Sequence, residues 1–211
     1  VDDDGTGHWE VLEKTDVFSL NDQTQFSPET PLANDRYGTS LTQGFYNLAA
    51  MVGAPGYLVA GDDSALKPAG GVYLYTKASA TAGFEFNYIQ ILTTPDTAGY
   101  GSSMDMGDQT WAVIGAPGSD AERGYAAVIY NPPTSTAFTQ TQLLLGAPED
   151  RLATSLSVTN NERWIYVGAP GNDRVYAYAR IDVESQSVRY VTTGLTATFN
   201  YSNNIVVDES S

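Results

Sequence analysis

One short phrase, written three times, constrains this chain more than its composition does. Val52-Gly53-Ala54-Pro55-Gly56 returns as Ile114-Gly115-Ala116-Pro117-Gly118 and again as Val167-Gly168-Ala169-Pro170-Gly171, at intervals of roughly fifty to sixty residues, the signature of a repeat architecture. Upstream of each copy lies a second anchor: Arg36-Tyr37-Gly38-Thr39-Ser40-Leu41, Gly99-Tyr100-Gly101-Ser102-Ser103-Met104 and Arg151-Leu152-Ala153-Thr154-Ser155-Leu156. Downstream come Val72-Tyr73-Leu74-Tyr75, Ala127-Val128-Ile129-Tyr130 and Val175-Tyr176-Ala177-Tyr178, then a fourth stretch in 84–92, 139–145 and 188–195. Each stretch is short, apolar or alternating, and bounded by Gly, Pro, Asp or Asn, the pattern of strands joined by hairpins. No window carries a sustained apolar stripe of helical period, so helices are expected to be nearly absent.

Four antiparallel strands repeated in this way predict an all-β fold, a β-propeller of four-stranded antiparallel blades. A β-sandwich suits the composition but leaves the triplicated Gly-Ala-Pro unexplained. The phrase has a physical reading at the end of a second strand. Its two small residues admit a neighbouring sheet, its Pro ends the ladder for want of a donor, and the next Gly permits a turn with positive φ. In the upstream anchor, an aromatic fills the space between blades and its Gly lets another backbone approach. Strands such as 48–52 and 111–114 are apolar almost throughout, as expected of a sheet covered on both faces.

Charge narrows the partners. Ten Lys and Arg face 25 Asp and Glu, a formal net charge of −15. Nucleic acid is excluded, because a phosphate backbone needs a basic footprint. No stretch approaches the roughly 18 apolar residues of a membrane span, so no membrane insertion is expected. The chain has no cysteine and one histidine, His8. Disulfides, thiolate chemistry and a multi-histidine zinc centre are therefore ruled out, and a Ser-His-Asp triad has little to build on. No Walker loop is present. The expectation is a protein without catalytic residues.

Tyr37-Gly38 with Gly53-Ala54-Pro55, and Tyr100-Gly101 with Gly115-Ala116-Pro117, resemble the FG-GAP repeats of integrin α-subunit propellers and their bacterial relatives. The third copy departs, with Leu152-Ala153 where aromatic-Gly is expected, yet keeps Gly168-Ala169-Pro170. The resemblance covers roughly 35–195. It implies three full blades near 35–93, 99–146 and 151–195 within one partial propeller over 1–211. An orphan strand at 8–13 would precede them, and a partial blade at 197–208 would follow. That is about half of a seven-bladed ring. Three arrangements are open: a fragment of a larger chain, a half-ring completed by a second subunit, or a small self-closed ring.

The resemblance also implies extracellular or cell-surface adhesion, with a protein or glycan as ligand and calcium as a possible companion. Family calcium loops carry Asp-x-Asp-x-Asp-Gly between the first two strands. Here those hairpins read 42–47, 105–109 and 159–162 without three alternating carboxylates, leaving Asp105 and Asp108 as weak metal candidates. Asp2-Asp3-Asp4-Gly5 reads as a polar turn. Acidic residues gather in the loops after Gly-Ala-Pro (Asp62, Asp63, Asp120, Glu122, Asp173) and between blades (Asp16, Asp22, Asp35, Asp96, Glu149, Asp150). That end of the fold is the expected ligand face, with Asp62, Asp63, Asp120, Asp173 and Tyr57 as candidate contacts. Phe45, Tyr46 and Tyr57 are aromatics suited to stacking on sugars. A structural building block and an accessory domain of a secreted enzyme or toxin are the alternative functions. Asn200-Tyr201-Ser202 is a glycosylation sequon.

Overall fold

A computed structural model describes residues 34–44, 49–60, 66–76, 87–93, 99–107, 111–131, 138–183, 187–199 and 205–208. The fold is all-β, built from antiparallel sheets. The first sheet has the order β1-β2-β5-β6, from Leu41–Gln43, Ala49–Ala54, Gly71–Thr76 and Asn87–Thr93. A small hairpin of β3 (Leu58–Ala60) and β4 (Leu66–Pro68) fills the stretch after the first Gly-Ala-Pro, which the sequence reads as a loop insertion. The second sheet runs β7 (Ser103–Met106), β8 (Trp111–Ala116), β9 (Tyr125–Tyr130) and β10 (Thr139–Leu145) in spatial order. The third runs β11 (Ser155–Val158), β12 (Trp164–Ala169), β13 (Arg174–Val183), β14 (Ser187–Phe199) and β15 (Ile205–Asp208).

The last two strands correct an expectation. Residues 197–199 continue β14, and Ile205–Asp208 pairs alongside it through Thr196↔Asp208 to Phe199↔Ile205. The stretch read as the start of a further blade therefore extends the third sheet. Pairing with the long β13, from Val183↔Ser187 to Arg174↔Thr198, carries the strand on past Gly194. The orphan strand expected at 8–13 lies outside the described residues. Among the described residues, helix is limited to Ser119–Glu122, whose Asp120 and Ala121 are left-handed (φ 47° and 53°), and to a 3-10 turn at Pro170–Asn172.

The second sheet lies between the other two. One face sends Met104, Met106, Ala112, Ile114 and Ala116 against Ala49, Met51, Val72 and Leu74 of the first sheet. Its other face sends Trp111, Val113, Ala126 and Val128 against Val158, Ile165, Val167 and Tyr178 of the third. Every residue of β8 is buried, since strand alternation supplies both cores. Full burial of a side chain such as Ile114 contributes roughly 1.5–3 kcal/mol.

The repeated phrases form a repeated junction. The anchor's third residue donates its N–H to the Gly carbonyl of Gly-Ala-Pro in all three copies: Gly38 to Gly53 at 2.9 Å, Gly101 to Gly115 at 3.0 Å and Ala153 to Gly168 at 2.9 Å. That residue is left-handed each time, with φ of 88°, 88° and 66°. Ala153 thus adopts the glycine conformation despite its Cβ. The anchor hydroxyls then tie sheet to sheet. Ser40 Oγ donates to the Gly101 carbonyl and Ser103 Oγ to the Ala153 carbonyl, each at 2.7 Å. Parallel bridges Gly70↔Tyr100 and Gly124↔Leu152 complete the seam.

The glycine requirement sits elsewhere than the turn. Gly56 and Gly171, after the Pro, do not have positive φ. They are small because a Cβ would meet the carbonyl oxygens of Asn34 and Glu149. At Gly53 and Gly115 a Cβ would meet the Gly101 and Ala153 carbonyls of the next sheet. At Gly168 the nearest described atoms all belong to Ser155, chiefly its rotatable hydroxyl. Gly53→Ala and Gly115→Ala are therefore expected to destabilise by about 1–3 kcal/mol, and Gly168→Ala by under about 1 kcal/mol. Urea denaturation of the three variants measures the ranking; a Gly168→Ala loss equal to that of Gly115→Ala refutes it.

Candidate functional site

The acidic loops expected to form the ligand face do two different jobs. Asp150 is fully buried. Its carboxylate accepts the Ala147 N–H at 2.7 Å, the Asn172 side-chain amide at 2.6 Å and the Tyr176 hydroxyl at 2.8 Å. Burial pushes its pKa up, but those three hydrogen bonds and the Arg174 charge more than offset it and leave a lowered value. Asp35, at the matching place in the first anchor, is also buried. The main-chain carbonyls of Asp35 and Asp150 accept from Gly56 and Gly171, each at 3.0 Å. Both residues latch the anchor to the Gly-Ala-Pro turn.

The other loop candidates are not brought together. Asp120 is exposed and pairs with Arg123 at 3.1 Å, an ion pair worth ~0–1 kcal/mol at most. Asp173 is exposed and left-handed at φ 51°. Tyr57 is half-buried and meets Tyr73 edge-on at 6.1 Å, within a cluster where Tyr37 and Tyr75 share a 2.7 Å hydroxyl hydrogen bond. Burial, reinforced by that bond, holds the Tyr37 hydroxyl well above the ordinary phenol range. Among the described residues no hydrogen bond, ion pair or ring contact joins Asp120, Asp173 and Tyr57. Asp62, Asp63, Asp16, Asp22, Asp96, Phe45, Tyr46 and Asn200 lie outside the described residues.

Asp105 does not fit a calcium ligand. One oxygen accepts the Met106 N–H at 2.9 Å and the Thr42 hydroxyl at 3.4 Å, and the other accepts the Val158 N–H at 2.7 Å. Both oxygens face donor protons, and the carboxylate stitches β7 to β1 and β11. Asp108 is outside the described residues. Among the described residues, no group of three or more His, Cys, Asp or Glu is placed to hold a metal.

A surface that sequence reading missed lies at the far ends of β12 and β13. An open cleft of about 450 Å³ is lined by Asn161, Arg163, Trp164, Ala179 and Arg180. The turn that builds it is tightly tied. Asn161 Oδ1 accepts from the Thr159 hydroxyl at 2.7 Å and the Arg163 N–H at 3.1 Å, while Trp164 N–H donates to Thr159 Oγ1 at 3.1 Å. Glu162, buried and left-handed at φ 56°, receives Arg180 Nη1 at 3.3 Å. The Arg180 guanidinium also lies 5.8 Å from the centre of the Trp111 ring, a cation–π distance. Strand register joins Trp164 to Ala179, and the Arg180 N–H donates to the Arg163 carbonyl at 2.8 Å. The adjacent Arg163-Trp164 pair was a signal in an acidic chain. Arg180 could not be added to it without the β12–β13 register.

No protein-family pattern matches the chain, and no curated protein matches it.

Two pH dependences follow. Asp150 has a folded pKa below its unfolded value of 3.8. It stabilises the fold above that pH, and its contribution is lost as pH falls through the lower folded value. Asp150→Ala should cost roughly 2–4 kcal/mol at pH 7, with the gap to wild type narrowing below pH 3.8 in denaturant titrations. Tyr178 behaves oppositely. Burial pushes its hydroxyl up from 10.0 to about 12, so the unfolded state loses its proton first. Stability should fall between pH 10 and about 12, read as phenolate absorbance that develops together with unfolding.

Proposed function

We propose that this chain is a set of FG-GAP-type β-propeller blades serving as a non-catalytic extracellular recognition or adhesion module for a protein or glycan. The observation that carries the reading is the thrice-repeated anchor. Gly38, Gly101 and Ala153 adopt one left-handed conformation and bond one equivalent carbonyl, as expected of consecutive blades laid face to face. The motif resemblance supplies the extracellular setting. A rigid stack that presents loops at both ends suits binding better than chemistry. A glycan array and a panel of immobilised matrix proteins test it, with saturable binding to at least one expected and silence on both counting against it.

A structural assembly role has one observation in its favour. Among the described residues, the two ends of the stack carry unmatched halves of the same seam. Leu41 is 65% exposed where its counterpart Met104 is 8% exposed. Gly38 has no described atom near its open side, whereas Gly101 packs on Gly71 and Val72. At the other end Ser155 stands where Ser40 and Ser103 tie to the next sheet, and Tyr166 and Ile181 are exposed. Asp173 brings a side chain to the place held by Gly70 and Gly124, so a copy docking there meets a carboxylate. Light scattering over a concentration series is expected to show head-to-tail growth that Leu41→Glu reduces and Asp173→Gly enhances. One monomeric mass throughout removes the assembly role.

A further inference from the structure

We propose that the cleft between Arg163, Trp164 and Arg180 binds an acidic sugar, a hexuronate residue, through its carboxylate. The proposal rests on the recognition reading above but places the contact at the end of the sheets opposite the acidic loops. The groups lining the cleft are donors. Asn161 has its carbonyl oxygen occupied by the Thr159 hydroxyl and the Arg163 N–H, which leaves its amide NH₂ for a ligand acceptor. Arg163 is exposed, and among the described residues its guanidinium has no hydrogen bond or ion pair. Arg180 is matched by the buried Glu162 and held over Trp111. Glu162 pairs with Arg180, which leaves the exposed Arg163 as the cation for a ligand and suits a single carboxylate better than a phosphate dianion.

The aromatic wall selects the rest of the ligand. Trp164, which lines the cleft, offers a flat indole face on which a pyranose ring can stack. The volume of about 450 Å³ falls in the usual range for small-ligand sites. Ring hydroxyls then meet the Asn161 amide, and the carboxylate meets Arg163. A glutamate-rich peptide offers the same carboxylate without a flat ring, so its binding is the competing outcome.

The test titrates the full chain with a galacturonate trimer, a neutral galactose trimer and tetraglutamate, followed by calorimetry and tryptophan fluorescence. The uronate is expected to bind with a Kd of roughly millimolar order, to weaken as salt rises, and to exceed both controls. Arg163→Gln should lose at least about tenfold and Arg163→Lys less, because the fork geometry is lost while the charge stays. Circular dichroism checks that these exposed-site variants keep the fold. Equal uronate binding by Arg163→Gln, equal affinity for the neutral trimer, preference for tetraglutamate, or no uronate binding at tens of millimolar each overturns the proposal. Binding of some other glycan or protein that ignores Arg163→Gln overturns the cleft alone and leaves the recognition reading standing.

Discussion

The contact on which the stack depends is the close approach of Gly53 and Gly115 to the main-chain carbonyls of Gly101 and Ala153. Two sheets packed through ordinary side chains would sit too far apart for Ser40 and Ser103 to reach those carbonyls at 2.7 Å. Removing the side chain at one position brings the backbones together. The serine hydroxyl then satisfies a carbonyl that the antiparallel ladder leaves over. Small residue, left-handed anchor and hydroxyl are thus one device: each has little use without the other two.

Around that seam two carboxylates have a structural task. Asp150 closes the loop between Ala147, Asn172 and Tyr176, and Asp105 crosses from β7 to β11. The three donors around Asp150, with the Arg174 charge, hold that carboxylate ionised more easily than a carboxylate in water. Two of the acidic residues that suggested a ligand face, Asp35 and Asp150, are therefore spent inside the protein. The chain's few arginines carry the opposite lesson. With ten basic residues against 25 acidic ones, two arginines converging with a tryptophan on one cleft stand apart from the general charge balance.

Much of the fold was legible because it is written in small residues and spacing. Gly53, Gly115 and Gly168 mark the ends of β2, β8 and β12, and the strand at 139–145 coincides with β10. The third strands were anticipated to within a few residues. The β3–β4 hairpin was not, since its three-residue strands carry too little pattern to separate from a loop. The continuation of β14 to Phe199 was missed because strand pairing, not local sequence, decides which neighbour an extended segment joins. The site was less legible. Asp120, Asp173 and Tyr57 share a loop class but no contact, and Arg180 reaches Trp111 only across two sheets.

By itself the sequence determined the strand alternation and the repeated phrases, because these follow from side-chain period and residue order. It showed as well that cysteine chemistry and a multi-histidine metal centre have no residues to build on, through zero cysteine and one histidine. Only the tertiary structure decided which carboxylates are latches and which are free to meet solvent. Asp105, Asp120 and Asp150 look alike in sequence and differ in the donors that other strands bring to them. Only the tertiary structure decided, too, that Arg163, Trp164 and Arg180 share one cleft. Their meeting depends on register between strands, a long-range property that pairwise hydrogen bonding sets and the linear order of residues does not.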